Sequence, residues 1–202
     1  MRRIKRITWG VALLPLAWLV VSGVTGGLGA NPIEAFTRGL GDWALRFLLL
    51  TLAVTPVRML TNWGWVSGLR RTFGLIAFTY ATLHLLSYVC LDQLFDWSTL
   101  YKDMLKRRYI TVGAIAYVML LPLAITSDNR LIRRLGAARW RTLHRLIYLI
   151  APLVVLHFWM MIRAGFDRPM LYGLAAGSLL AMRLVRVTMR EAVPSRSAAD
   201  RG

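Results

Sequence analysis

The sequence is poor in cysteine, acidic residues and histidine, and each shortage excludes a class of chemistry. Cys90 is the only cysteine among 202 residues, so no internal disulfide forms. A single cysteine also excludes covalently attached haem, which needs Cys-x-x-Cys-His, and iron–sulfur clusters held by several cysteines. No Gly-x-Ser-x-Gly motif accompanies the three histidines, which disfavours an intramembrane hydrolase.

Charged residues taken together are also scarce. They make up 17% of the chain, whereas hydrophobic residues make up 57%; a typical soluble domain carries roughly 25% charged residues. Apolar runs of about 20 residues recur, each long enough to cross a bilayer core of roughly 30 Å. The net charge of +17 lies in short basic blocks between these runs, which is typical of loops facing anionic lipid. The sequence therefore predicts a protein of the lipid bilayer and excludes a nucleic-acid partner.

The apolar runs predict an all-α integral membrane bundle of about six transmembrane helices. The predicted spans are 8–29, 42–60, 72–91, 109–126, 143–163 and 169–188. Between them, residues 31–41 and 127–145 are predicted loops, and 97–108 is a predicted amphipathic helix lying in the membrane interface. Thr55-Pro56 predicts a kink or an early end of the second span. Residues 1–190 form the predicted membrane domain, and 191–202 a polar, disordered cytoplasmic tail.

The distribution of Lys and Arg predicts the orientation of the bundle. The N-terminus, the 58–71 loop, the 127–145 loop and the C-terminal end hold 18 of the 26 basic residues. The positive-inside rule therefore places both termini in the cytoplasm. Three of the arginines, Arg46, Arg183 and Arg186, are predicted to extend from helix ends toward the lipid headgroups.

The three histidines carry the predicted chemistry, because an ionisable side chain within a span is costly and indicates a function. His84 lies about 12 residues, or roughly 18 Å, from the cytoplasmic start of the third span. His157 lies about 14 residues, or roughly 21 Å, from the start of the fifth. Two histidines at one depth on two helices can ligate one iron from both faces. The alternative is a pair of buried histidines that hydrogen-bond between helices.

The third histidine is predicted at the cytoplasmic rim. His144 precedes His157 by 13 residues, which puts the two about 20 Å apart along a straight helix and roughly 140° apart around it; Pro152 could bend that helix. At the same offset before His84 stands Arg71, which could meet a haem propionate or a flavin phosphate. The alternatives are a histidine touching lipid phosphate and an arginine that only sets topology.

Several segments resemble the ferric-reductase-like transmembrane domain and, within it, the MsrQ (also called YedZ) family, the haem-binding membrane subunits of bacterial periplasmic methionine-sulfoxide reductase systems. The segments that carry the resemblance are Leu69-Arg-Arg-Thr-Phe-Gly-Leu75, Thr82-Leu-His-Leu-Leu-Ser-Tyr88, Trp140-Arg-Thr-Leu-His-Arg-Leu-Ile-Tyr148, Gly26-Gly-Leu-Gly-Ala-Asn-Pro32, Arg108-Tyr-Ile-Thr-Val-Gly113 and Ala124-Ile-Thr-Ser127. The resemblance covers nearly the whole chain.

This resemblance implies a multi-pass protein of the bacterial inner membrane that binds haem b, and FMN is also assigned to the family. It implies electron uptake from the quinone pool or a cytosolic flavin reductase. It implies delivery to a periplasmic molybdopterin-dependent methionine-sulfoxide reductase that repairs oxidised envelope proteins. Such a protein is an electron-transfer subunit without catalytic residues of its own.

By position, His84, His144 and His157 match the haem histidines of the family, with Arg71 as a further cofactor residue. Related oxidases carry four such histidines, whereas this chain has three, so the resemblance leaves one or two haems open. The alternative function is a transporter or channel without a redox cofactor, which would show broken helices in paired repeats or several intramembrane charges. The acids of this chain stand mostly at predicted helix ends or in loops.

Overall fold

The computed structural model describes residues 1–162 and 165–192, and these residues fold into helices joined by short turns. The α-helices are α1 (Arg2–Val24), α2 (Pro32–Thr61), α3 (Arg70–Ser87), α4 (Trp97–Lys106), α5 (Arg108–Ile125), α6 (Asn129–Leu135), α7 (Ala137–His144), α8 (Ile147–Met161) and α9 (Asp167–Ala192). A 3₁₀ turn, Gly64–Leu69, precedes α3, and a π-helical turn, Tyr88–Asp92, continues it.

The predicted all-α membrane bundle is confirmed. Within the described residues, five stretches are long and apolar enough to span a membrane: Arg2–Val24, Pro32–Thr61, Gly64–Asp92, Arg108–Ile125 and Ala137–Met161. The sixth predicted span, 169–188, falls within α9, a helix that packs against α2 and α8 and is not one of these five stretches. The predicted tail from Glu191 falls largely outside the described residues, because these end at residue 192.

Two predicted loops are wrong, because their residues are helical. In place of the predicted loop 31–41, α2 begins at Pro32. Proline suits the first helical position, because the backbone N–H that it lacks would have no helical partner there. Asn31 caps this start: its side chain accepts from the Glu34 backbone N–H at 3.3 Å and donates to the Glu34 carboxylate at 2.9 Å. The basic segment 127–145 forms α6 and α7, which are separated at Gly136, where φ is +76°.

The amphipathic helix α4 is present where the sequence predicts it. Asp96 caps its start by accepting from the backbone N–H groups of Ser98 and Thr99 at 3.0 and 3.1 Å. These bonds and the Thr99 hydroxyl hold the pKa of the Asp96 carboxyl below its ordinary value. Within the helix, Asp103 is buried and accepts from the Tyr88 hydroxyl at 3.1 Å, which joins α4 to the membrane bundle.

The tightest part of the bundle is formed by α2 and α3, with α1 laid across them. Leu52 and Ile76 are fully buried between them. The Tyr80 hydroxyl donates to the Ala12 carbonyl at 2.5 Å, which fixes α1 to this core. A second closely packed pair is formed by α5 and α8, so the bundle contains two neighbouring helix pairs.

Arg183 does not extend toward the headgroups, which is contrary to the prediction. Its guanidinium turns into the bundle and donates to the Thr51 carbonyl at 2.8 Å and to the Leu52 carbonyl at 2.8 and 3.1 Å. Arg46 likewise stays within the bundle, where it donates to the Tyr172 hydroxyl at 3.0 Å. Arg186 lies outside the residues whose side chains are described.

The early end predicted for the second span at Pro56 is also wrong. The helix α2 continues through Pro56 to Thr61. Since proline has no N–H, the Leu52 carbonyl four residues earlier loses its helical donor, and Arg183 supplies that donor from α9.

Candidate functional site

Two of the three histidines face each other inside the bundle. His84 lies near the C-terminal end of α3, and His157 lies in the last turns of α8. Their ring centres are 6.2 Å apart and their planes cross at 74°. The two histidines, which are predicted to lie at one depth in the membrane, are therefore also close to each other.

Each imidazole is oriented by one backbone carbonyl from the neighbouring helix. His84 donates from Nδ1 to the Thr37 carbonyl of α2 at 2.8 Å, and His157 donates from Nδ1 to the Tyr109 carbonyl of α5 at 2.7 Å. A carbonyl oxygen can only accept, so Nδ1 carries the proton in both rings. In a neutral imidazole this leaves the lone pair on Nε2, which is the arrangement of a metal-binding histidine.

The separation of the two rings fits a single metal ion between them. Nitrogen–metal bonds of about 2.0 Å on opposite sides of one ion put the two ring centres roughly 6 Å apart. Among the described residues, no group of three or more His, Cys, Asp or Glu side chains is placed to hold a metal. Two imidazoles alone do not fill the coordination of iron, so the donor set suits a metal whose other ligands come from a macrocycle, as in haem.

His144 stands apart from this pair. The chain does not run as one straight helix between His144 and His157, because α7 ends at His144 and α8 begins at Ile147. The His144 ring stacks on Trp140 with centroids 4.0 Å apart. Its Nε2 lies 3.2 Å from the Thr126 hydroxyl, which already donates to the Pro122 carbonyl at 2.6 Å. His144 is therefore the donor in this contact, and its lone pair is on Nδ1.

Arg71 reaches the same turn of the chain as His144. Its guanidinium donates to the Asn129 side chain at 2.6 Å, at the start of α6. Asn129 follows Thr126, the partner of His144, by three residues. Arg71 and His144 thus border one rim of the bundle, and Arg71 is exposed there.

No sequence pattern predicts the residues that orient the histidine pair. Thr37 lies in the predicted loop 31–41, and Tyr109 lies in a segment that carries the family resemblance. Gly41 and Gly113 contact the two imidazoles: a Cβ added at Gly41 would lie 3.1 Å from Nδ1 of His84, and one at Gly113 would lie 2.7 Å from Nδ1 of His157. The signal available in the sequence is a glycine four residues after each carbonyl that the histidines use.

A groove of about 950 Å³ opens between α1 and α2, and no sequence pattern predicts it. Its walls are mostly apolar, but Asp42 lines it roughly 15 Å along α2 from the start of that helix. Arg38, Arg46 and Arg168 are the nearest positive charges, and none forms an ion pair with Asp42 in the described part of the chain. Asp42 directly follows Gly41, so this end of the groove is level with the histidine pair.

The bundle and its facing histidines define a multi-pass membrane protein of the ferric-reductase type. The family described as "Ferric reductase like transmembrane component" matches residues 40–162. A relative from Rhodospirillum rubrum is 53% identical, with 93% of this chain and 91% of the relative covered. Relatives from Herminiimonas arsenicoxydans and Caulobacter vibrioides are 48% and 46% identical, over 90% and 88% of this chain and 84% and 85% of their own lengths.

All three relatives are named protein-methionine-sulfoxide reductase heme-binding subunit MsrQ. The chain belongs to the MsrQ family.

Proposed function

We propose that this protein binds haem b between His84 and His157 and carries electrons across the bacterial inner membrane. The observation that supports this most directly is the facing pair, with both Nδ1 atoms engaged and both Nε2 atoms available. When bound, haem supplies reversible one-electron chemistry at its iron. The two imidazoles would hold its iron, and the apolar helices around them would exclude water.

The electron acceptor we propose is a periplasmic molybdopterin-dependent methionine-sulfoxide reductase that repairs oxidised envelope proteins. Support comes from the names of the relatives, which describe them as subunits of a protein-methionine-sulfoxide reductase. With both termini in the cytoplasm, α4 lies on the periplasmic side. Its outer surface exposes Trp97, Tyr101 and Leu105, and we assign α4 to the docking surface.

An absorption spectrum of the purified protein tests the function. The expected result is a b-type spectrum that dithionite reduces and air reoxidises. In proteoliposomes with the reductase outside, reduced protein should be reoxidised when methionine sulfoxide is added. A colourless preparation from haem-sufficient cells, correctly inserted, would reject electron transfer and favour the transporter alternative.

A second cofactor, haem or FMN, is proposed at the cytoplasmic rim, where His144 and Arg71 border the turn 126–129. Arg71 is a planar cation suited to a propionate or a phosphate. To ligate iron through Nε2, the His144 ring would have to release Thr126.

We expect His144→Ala to remove this second cofactor and to leave the haem of the facing pair in place. Haem and FMN are measured per protein in wild type and variant. A variant that keeps the wild-type content of both would show that His144 is a structural residue packed on Trp140.

Two donors are compatible with this chain, a quinol of the membrane and a cytosolic flavin reductase, and the groove along α1 supports the quinol. Its apolar walls suit an isoprenoid tail, and Asp42 stands at its end without an ion-pair partner among the described residues. A quinol bound there would release two electrons and two protons on oxidation, and the haem that His84 and His157 are proposed to hold would take up the electrons one at a time. The Asp42 carboxylate is placed to accept a hydrogen bond from the quinol hydroxyl and to take these protons in turn.

Asp42→Asn is therefore expected to slow haem reduction by a lipid-soluble quinol by about 100-fold, the lower end of a general base's usual contribution. Reduction by dithionite and the haem content should stay at wild-type levels, because the histidines that hold the haem are unchanged in this variant. Stopped-flow spectra of both proteins in the same lipid provide the comparison. Equal quinol rates would exclude Asp42 and favour delivery by the flavin reductase.

A further inference from the structure

The two histidines are held by the same local arrangement on two different helices. On α2, the Thr37 carbonyl accepts from His84, and Gly41 lies four residues later. On α5, the Tyr109 carbonyl accepts from His157, and Gly113 lies four residues later. Each glycine also contacts the imidazole that its own helix orients.

Helix geometry explains why glycine is needed at these positions. A helical carbonyl accepts the N–H of the residue four positions later and keeps a second lone pair free. The Cα–Cβ bond of that later residue tilts toward the helix N-terminus, so its side chain covers the turn in which the carbonyl lies. Glycine leaves the second lone pair uncovered, and an imidazole from a neighbouring helix can reach it.

We propose that Gly41 and Gly113 are positioning residues that admit His84 and His157 to these carbonyls and thereby set the potential of the haem. This rests on the proposed function. A hydrogen bond from Nδ1 makes the imidazole a more basic ligand, and a more basic ligand stabilises the ferric state. Loss of either hydrogen bond therefore raises the midpoint potential of the haem.

Close helix packing alone does not account for the two positions. Gly74, on the same helix as His84 and also at the α2–α3 interface, would place an added Cβ at 3.7 Å from Thr51, which is ordinary van der Waals contact. The corresponding distance is 2.7 Å at Gly113, shorter than side chains tolerate, and 3.1 Å at Gly41. Gly68 and Gly39 are also crowded, with an added Cβ clashing with the Met1 methyl and lying 2.6 Å from the Leu19 side chain, respectively, but of the described glycines only Gly41 and Gly113 meet an imidazole at its Nδ1.

The test is Gly113→Ala, with Gly41→Ala as a milder variant and Gly74→Ala as the matched control. We expect Gly113→Ala to weaken haem binding by about 10- to 100-fold, the usual effect of disturbing the partner of a metal ligand. The haem that remains should have a higher midpoint potential and altered low-spin EPR signals. Gly41→Ala should shift both quantities in the same direction by less, and Gly74→Ala should match wild type.

The outcomes separate this proposal from the function on which it rests. Wild-type protein that lacks haem would reject both. Wild-type protein with haem, together with a Gly113→Ala variant of unchanged haem affinity, potential and EPR spectrum, would reject the positioning role alone. If Gly113→Ala does not fold, as judged by gel filtration in detergent, Gly41→Ala decides: an unchanged potential in that folded variant overturns the proposal.

Discussion

Replacing either His84 or His157 with alanine is expected to abolish the b-type absorption band of the facing pair. Each change would remove one of the two imidazoles proposed to hold the haem, and the other imidazole alone would hold it more weakly. The expected loss of haem affinity exceeds the 10- to 100-fold effect typical of disturbing a ligand's partner. The measurement is haem per protein after purification, for membrane-inserted protein of wild-type yield.

A chemical rescue distinguishes a ligand from a residue that only supports the fold. His84→Gly and His157→Gly leave a space that free imidazole can enter, so added imidazole should restore haem binding in a concentration-dependent manner. The same imidazole should have no effect on the wild-type spectrum. Normal haem content in both alanine variants, with the proteins folded, would disprove the assignment of the pair.

Replacing Arg183 with leucine is expected to destabilise the bundle by about 1–3 kcal/mol, the cost of a buried polar group left without a partner. The Leu52 carbonyl has no helical donor because Pro56 occupies the position that would supply it. Arg183 is the donor that replaces it. Unfolding in mixed detergent micelles, followed by circular dichroism, measures the difference in the free energy of unfolding.

A double-mutant cycle with Pro56→Ala isolates this interaction from the other contacts of Arg183. Alanine at position 56 restores a backbone N–H for the Leu52 carbonyl, so Arg183→Leu should cost less in that background. The expected coupling lies within about 0.5–3 kcal/mol, as for residues that share a partner. Additive effects of the two substitutions would show that Arg183 stabilises the bundle by other means.

The sequence determined the class of this protein, because the period and length of apolar runs report burial in lipid directly. It also determined the candidate site residues, because a histidine inside a span is rare and indicates a function. The helical rise of about 1.5 Å per residue, applied to the two spans, predicts similar depths in the membrane for His84 and His157. Family resemblance then pointed to haem, and the family itself is confirmed by the relatives.

The sequence failed where the outcome depends on neighbours rather than on periodicity. Polarity alone assigned 31–41 to a loop, although Asn31 and Pro32 are a good helix start and α2 packs along α3 from its first turns. The prediction that Arg183 extends out of the bundle is wrong because its partner could not be foreseen. That partner, the Leu52 carbonyl without a helical donor, is on another helix, 131 residues away in the chain. No local pattern reports such a partner.

Only the tertiary structure decided which atoms of the histidines are available. From the sequence, either nitrogen of an imidazole could be the metal ligand. In the structure, the carbonyls of Thr37 and Tyr109 accept hydrogen bonds from Nδ1 of the two rings, so that Nε2 is available in each. The same holds for His144, whose Nε2 is engaged by Thr126. Tautomer and ring direction depend on hydrogen bonds between helices distant in sequence. The sequence therefore identifies the histidines of the candidate site, and the packing of the helices decides which ring nitrogen of each histidine is available.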